Sequence, residues 1–345
     1  MSTLRRDQTT GSWVVLAPSR RARPHSPLAI ERTPLPERDP TCPFCPGNEE
    51  QTPPEIARSS SASGWNVRVV PNLFAALGDG AAGDGHSERD APRGPRAREL
   101  FRTIPGEGSH EVIVETPQHD VRLDEMSETE VAGVVETWRS RYRELIARPE
   151  VRAVVVFKNF GPLAGTSLMH AHSQIIATPI PLPGTAVRIE TASRYRNESG
   201  GCVYEDLLAE ERAAGTRIVD ELEGFCVLAP FASGSPFECW VVPSEHGFSF
   251  GDLADGDVAR LARAILRALR AIRFACDDPD FNLMVYSAVP GQGAGADAFH
   301  WFVKLVPKLT TPAGFELGSA MSINTVAPED AAAALRGALQ RLGFS

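Results

Sequence analysis

Two groups of side chains in this sequence have the spacing of reactive groups. The first is His170-Ala171-His172-Ser173-Gln174, in which a polar side chain recurs at every second position. Residues two apart on a β-strand face the same side, so the run lines up two imidazoles and an amide inside an otherwise apolar segment. Buried polar groups left unpaired cost about 1–3 kcal/mol each, so such a row reads as a site. Neutral imidazole, with an ordinary pKa of about 6.5, is a nucleophile near neutral pH. Its attack on phosphorus gives a phospho-imidazole and divides one displacement into two steps. Gln174 can donate its amide to oxygens that carry negative charge, but it cannot act as acid or base, which favours transfer over hydrolysis. The second group is Cys42-Pro43-Phe44-Cys45, whose spacing is that of half a metal site. A redox-active Cys-x-x-Cys is the alternative, without the expected thioredoxin-like surroundings.

The elements that must position these groups follow from periodicity. Residues 13–16 read as a strand followed by a basic turn, and the proline-rich stretch 24–54 that carries the cysteines reads as irregular, held by something other than regular hydrogen bonding. Residues 66–70 alternate like a strand, and 78–98 read as a mobile surface loop of Gly, Asp, Ala and Arg. A strand over 110–115, a helix over 127–147 opened by Ser127 and Glu130, and a β-branched strand over 151–157 come next. A glycine-containing loop then leads into His170 and the strand that ends near 177.

The pattern recurs. Phe237 to His246 resembles His110 to His119, displaced by 127 positions, and is followed by a helix over 255–276, a strand over 281–286, a glycine-rich loop and a strand over 299–307. The interval from His119 to His172 is 53 residues, and that from His246 to His300 is 54. This implies an internal duplication of a strand–helix–strand–loop–strand unit. In this alignment Ala298 replaces His170 and Phe302 replaces Gln174, which predicts one active site per chain, near His172. The expected fold is α+β, an internally duplicated arrangement of two half-sheets with packed helices, divided at 1–190 and 191–345.

Composition narrows the class further. A chain of 345 residues with 42% hydrophobic and 23% charged residues excludes collagen-like, mucin-like and largely disordered proteins. A formal charge of −9 argues against a general nucleic-acid coat, which needs clustered cations. No apolar run approaches the roughly 18 residues of a membrane span, and the first residues lack a signal-peptide core. A cytoplasmic protein without a disulfide scaffold is expected.

The sequence resembles the galactose-1-phosphate uridylyltransferase family, the transferase branch of the histidine-triad superfamily. The resemblance rests on Arg20 with Arg23 and Pro24, the CPFCPGNE run at 42–49, PNLFAAL at 71–77, the segment 110–119, FKNFGP at 157–162, His170 to Gln174, and GFELG at 314–318. It implies the histidine-triad-like fold and a ping-pong reaction on a nucleotide sugar. His172 would take the nucleotidyl group (UMP or AMP), release a sugar 1-phosphate, and pass the group to a second sugar 1-phosphate. By the same resemblance Ser167, Gln174 and Asn159 would hold phosphate oxygens, Arg20 and Arg23 would approach the diphosphate or sugar phosphate, Asn72 would contact the nucleoside, and Phe315 would lie at the sugar. The family completes the cysteine pair with histidines matching His119 and His170, so Cys42, Cys45, His119 and His170 would bind a structural zinc that also places His172. Related enzymes are dimers, so a homodimer is expected.

The sequence also departs from the family's pattern. A second metal site found in some relatives would here rest on Cys202, Glu205 and His300. Gly314, Ser319 and Ala320 stand where galactose-handling members carry Lys, Tyr and Glu, and the closing segment looks closer to the branch that includes plant ADP-glucose phosphorylase, in which phosphate is the acceptor. Hydrolysis of a nucleotide conjugate and non-catalytic nucleotide binding are the alternatives to sugar-1-phosphate transfer. Cys226, Cys239 and Cys276 read as buried small hydrophobes, and His110 and His246 as structural.

Overall fold

The computed structural model describes residues 2–22, 32–62, 64–78, 96, 100–291 and 295–344. Arg23 and nearly all of the expected loop at 78–98 lie outside the described residues.

Ten strands form one sheet. In chain order they are β3 (Ala57–Ser61), β4 (Gly64–Pro71), β5 (Ser109–Val114), β6 (Ala153–Phe160), β7 (His172–Thr178), β8 (Ile218–Leu222), β9 (Phe225–Leu228), β10 (Cys239–Pro243), β11 (Phe281–Tyr286) and β12 (Phe302–Pro307). Their spatial order is β3-β4-β5-β7-β6-β11-β12-β10-β9-β8, with every neighbouring pair antiparallel. The duplication is visible in that order, because β5-β7-β6 and β10-β12-β11 mirror each other. The expected half-sheets are therefore joined edge to edge by β6 and β11, where Asn159 pairs with Asn282. A smaller sheet, not anticipated from the sequence, brings β1 (Thr3–Arg6) and β2 (Trp13–Leu16) together with β13 (Ile323–Asn324).

Helix α1 (Glu128–Ile146) starts in a capping box. The Ser127 side chain accepts from Glu130 N–H, and the Glu130 carboxylate accepts from Ser127 N–H at 2.8 Å. Its buried Val131, Val134, Val135, Trp138, Tyr142 and Leu145 recur at helical spacing and cover one face of the sheet. Helix α2 (Pro183–Ser199) follows β7, and α3 (Val203–Ala214) follows α2. Helix α4 (Asp255–Ala275) repeats the role of α1 in the second half and packs against it. Helices α5 (Gly314–Ser319) and α6 (Pro328–Arg341) close the chain.

Sheet register sorts the reactive row from the core. Val112 faces Gln174 and Val114 faces His172, so these four share a face, while Ile113 and Ser173 point to the other. There, beneath α1, Trp138 Nε1–H donates to Ser173 Oγ at 2.7 Å. The His172 face is covered by the irregular segment at 42–48, and a second apolar cluster of Cys42, Phe44, Cys45, Trp65, Val70, Val112 and Val114 forms beneath it.

The second half corrects one alignment. His300 Nε2 meets the Pro243 carbonyl at 3.0 Å, as His170 Nε2 meets that of Thr116 at 2.7 Å. His246 packs on His300 at 5.3 Å between ring centroids, as His119 packs on His170 at 5.2 Å. His300 thus takes the place of His170, and Phe302, at the start of β12, takes that of His172. Phe302 stacks on Tyr286 at 4.9 Å and on Trp240 at 4.4 Å. The buried Arg188 guanidinium lies 5.5, 5.2 and 5.4 Å from the Trp240, Tyr286 and Phe302 rings. Aromatic rings and a guanidinium occupy the place that corresponds to His172, so only the first half carries the reactive row.

Candidate active site and metal centre

His172 is 8% exposed and lines a narrow crevice with Lys158, Asn159, Thr166, Leu168 and His170. Its Nδ1 lies 2.8 Å from the His170 carbonyl oxygen. A carbonyl only accepts, so Nδ1 carries the proton and Nε2 keeps its lone pair. Burial, reinforced by the positive charge of Lys158, pushes the His172 imidazole down to about 4, so the ring is neutral at physiological pH. The Lys158 amine donates to the His172 carbonyl at 3.0 Å and pairs with buried Glu115 at 2.7 Å. The backbone at His172 is therefore held by a buried ion pair.

A chain of hydrogen bonds orients Gln174. The Ala76 N–H donates to His110 Nδ1 at 3.1 Å, which leaves the ring proton on Nε2. That Nε2–H donates to Gln174 Oε1 at 2.7 Å, and Asn72 Nδ2 lies 3.3 Å from the same oxygen and 3.0 Å from His110 Nε2. Asn72 is itself fixed by its Oδ1, which accepts from Phe74 N–H at 2.9 Å. The Gln174 carbonyl is thereby occupied, and its NH2 group is the end left to donate. His110, expected from the sequence to be structural, thus orients Gln174. Its position, two residues before Val112 on the same strand face, becomes informative only once the pairing of β5 with β7 is known.

Asn159 stands on β6, where Phe157 faces Gln174. Continuing that register brings Asn159 opposite His172, on the same face. Ser167 is exposed in the loop between Thr166 and Leu168, and neither it nor Asn72 is among the residues that line the crevice. The structure does not bring Arg20 or Phe315 there either. Arg20 is exposed in a 3-10 turn (Pro18–Ala22) beside the small sheet, and Phe315 is half-exposed on α5.

The four expected ligands converge. Cys42, Cys45, His119 and His170 are all buried, with ligand atoms within 4.8 Å of one another. His170 Nδ1 lies 3.6 Å from both sulfurs, and His119 Nδ1 lies 3.4 Å from Cys45 Sγ. A tetrahedral ion with bonds of about 2.3 Å to sulfur and about 2.0–2.1 Å to nitrogen has S···N edges of about 3.5–3.6 Å, so the spacing fits a closed four-ligand shell. The Thr116 carbonyl holds the His170 proton on Nε2 and points the Nδ1 lone pair at the sulfurs. Burial pushes the Cys42 thiol up to about 11, so paired thiolates here call for a bound cation. A second group, Cys202, Glu205 and His246, also converges within 4.8 Å, with His246 Nδ1 3.4 Å from His300 Nδ1. Only Cys202 in that group of three is buried.

A family model described as galactose-1-phosphate uridyl transferase, N-terminal domain, matches residues 1–181. An ADP-glucose phosphorylase from Arabidopsis thaliana is 31% identical over 336 residues, covering 96% of this chain and 92% of the relative. A galactose-1-phosphate uridylyltransferase from Thermotoga maritima is 27% identical over 350 residues, covering 97% and 98%. The crystal structure of the Arabidopsis thaliana ADP-glucose phosphorylase with bound ADP-glucose has a TM-score of 0.81 at 31% identity, covering 97% of this chain and 98% of that one. A uridylyltransferase structure has a TM-score of 0.74 at 25% identity, covering 99% of each. Fold, site and relatives together define a nucleotidyltransferase. The chain belongs to the galactose-1-phosphate uridylyltransferase family. No helix among the described residues is long and apolar enough to cross a membrane.

Proposed function

We infer that the chain transfers a nucleoside monophosphate from a nucleotide sugar through a covalent intermediate on His172. The observation that carries this reading is the bond from His172 Nδ1–H to the His170 carbonyl, which leaves a neutral Nε2 lone pair in the crevice. Attack by Nε2 on the α-phosphorus forms an N–P bond and breaks the P–O bond to the β-phosphate, and the electron pair leaves with the sugar 1-phosphate. As the ring becomes cationic, its Nδ1–H bond to the carbonyl strengthens and holds the charge. Gln174 NH2 and the amide of Asn159 hold non-bridging oxygens, together with Ser167 on the loop between β6 and β7, and Asn72 fixes Gln174 and borders the nucleoside. In the second step a phosphate oxygen of the acceptor attacks phosphorus and the N–P electron pair returns to Nε2.

Cys42, Cys45, His119 and His170 hold a zinc ion in this reading. Bound there, it would tie the irregular segment at 42–48 to the strand, so that His170 holds the backbone from which His172 projects. The two repeats divide at 1–190 and 191–345, and the enzyme is a homodimer in the cytoplasm.

The acceptor is a hexose 1-phosphate in the first reading, in line with the relatives named galactose-1-phosphate uridylyltransferase. A second reading, inorganic phosphate with an adenylyl donor, draws on the 31% identity to a protein named ADP-glucose phosphorylase and on Gly314, Ser319 and Ala320 in the C-terminal segment. Incubating the protein with UDP-glucose or ADP-glucose, each with labelled glucose 1-phosphate, galactose 1-phosphate or inorganic phosphate, separates the two. Label entering a UDP-sugar supports the first reading, and labelled phosphate entering ADP supports the second. No exchange with any pair contradicts both.

A further inference from the structure

The second repeat lacks the reactive row, yet through the β6–β11 pair it touches Asn159, a residue that lines the crevice of the first. Asn282 Nδ2 donates to the Ala164 carbonyl at 3.0 Å and to Asn159 Oδ1 at 2.8 Å. The first of these bonds fixes the polarity of the second. A backbone carbonyl accepts only, so the Asn282 atom between the two residues is the nitrogen, and the Asn159 atom facing it is the oxygen. The Asn159 nitrogen is then the end turned away from Asn282, and it has no hydrogen-bond partner among the described residues. The same NH2 group of Asn282 pins the 162–164 turn of the loop that ends at His170. Asp280, fully buried two residues earlier on the same edge, accepts from Leu163 N–H at 2.7 Å.

We propose that Asn282 is a positioning residue for nucleotidyl transfer: by presenting a donor to Asn159 Oδ1, it turns the Asn159 NH2 into the His172 crevice as a donor for the phosphoryl oxygens. The inference deepens the proposed function and rests on its assignment of Asn159. It also gives the degenerate half a role in the reaction, since the polarity of a phosphate-binding amide in one repeat is set by a side chain of the other.

The test uses the change Asn282→Asp, which keeps size and shape but reverses polarity. A carboxylate at 282 repels the Asn159 oxygen and attracts its nitrogen, so the amide flips and offers its carbonyl to the phosphate. Asn282→Ala removes the constraint without reversing it. Formation of the nucleotidyl-enzyme is followed by rapid quench with α-³²P-labelled UDP-glucose and ADP-glucose at saturating concentrations, together with melting curves. At temperatures where the melting curves show both variants folded, we expect Asn282→Ala to slow labelling about tenfold and Asn282→Asp to slow it at least a further tenfold. Equal labelling rates in the two folded variants, or faster labelling in Asn282→Asp, overturn the proposal, because both variants lose the donor to the Ala164 carbonyl and only Asn282→Asp reverses the polarity that faces Asn159. Asn159→Ala serves as the reference. If it labels at the wild-type rate, the assignment of Asn159 fails. If it is slow while Asn282→Asp labels no more slowly than Asn282→Ala, only the positioning role fails.

Discussion

The carbonyl of His170 accepts the Nδ1 proton of His172 at 2.8 Å, while the ring of His170 turns its own Nδ1 to within 3.6 Å of Cys42 and Cys45. One residue therefore belongs to the candidate metal group through its side chain and sets the tautomer of His172 through its backbone. Loss of the metal group should be felt at His172 without any change to that side chain.

Replacing Cys45 with Ser tests this coupling. We expect bound zinc, measured by elemental analysis, to fall from one per chain toward none. Loss of a structural ligand costs on the order of 3 kcal/mol, which lowers the melting temperature by roughly 4 °C in a chain of this size. Nucleotidyl-enzyme formation should also slow by about 10–100-fold at temperatures where the variant is folded. Undiminished labelling in a zinc-free, folded variant contradicts the coupling.

The pH dependence of the first half-reaction follows from the burial of His172. Its imidazole is pushed down to about 4, and protonation removes the attacking lone pair. The single-turnover rate should stay level as pH falls from 8 to about 5.5 and decline only as pH approaches about 4, provided the fold is verified by circular dichroism. A decline centred near the ordinary histidine value of about 6.5 contradicts this.

His110→Phe keeps a ring in place but removes the donor that holds Gln174 Oε1. The prediction is a 10–100-fold loss in nucleotidyl transfer with the melting temperature within a few degrees of wild type. An unchanged rate shows that Gln174 is oriented by other means.

Gly161 starts the loop before His170 with φ of +83°, and a Cβ there would lie 1.9 Å from Asp280 Oδ1. Asp280 is fully buried and bonded, so it has little room to yield. Gly161→Ala should destabilise the protein by about 3 kcal/mol or more in denaturant titration. A change below about 1 kcal/mol shows that the loop relaxes freely.

Much of the candidate site is legible in the sequence because its residues are contiguous. His170, His172 and Gln174 advertise themselves by strand periodicity, and Cys42 with Cys45 by spacing. The strands and helices of the repeat were read to within a few residues. The residues that escaped notice act across the sheet. His110 matters because β5 lies beside β7, and Asn282 because β6 lies beside β11, neither of which is written in local pattern. Likewise His300 matched His172 by sequence interval, whereas hydrogen bonding to Pro243 puts it in the place of His170. An irregular loop shifts the count by two residues, and only the backbone partner reveals the true register.

The central claim is tested most directly by mapping the covalent intermediate. The protein is mixed with α-³²P-labelled UDP-glucose or ADP-glucose, quenched in alkali and digested, and the labelled peptide is sequenced. The account predicts label on the Nε2 of His172 in the wild type and none in His172→Gly. Label on another residue, or equal label in the two proteins, contradicts it.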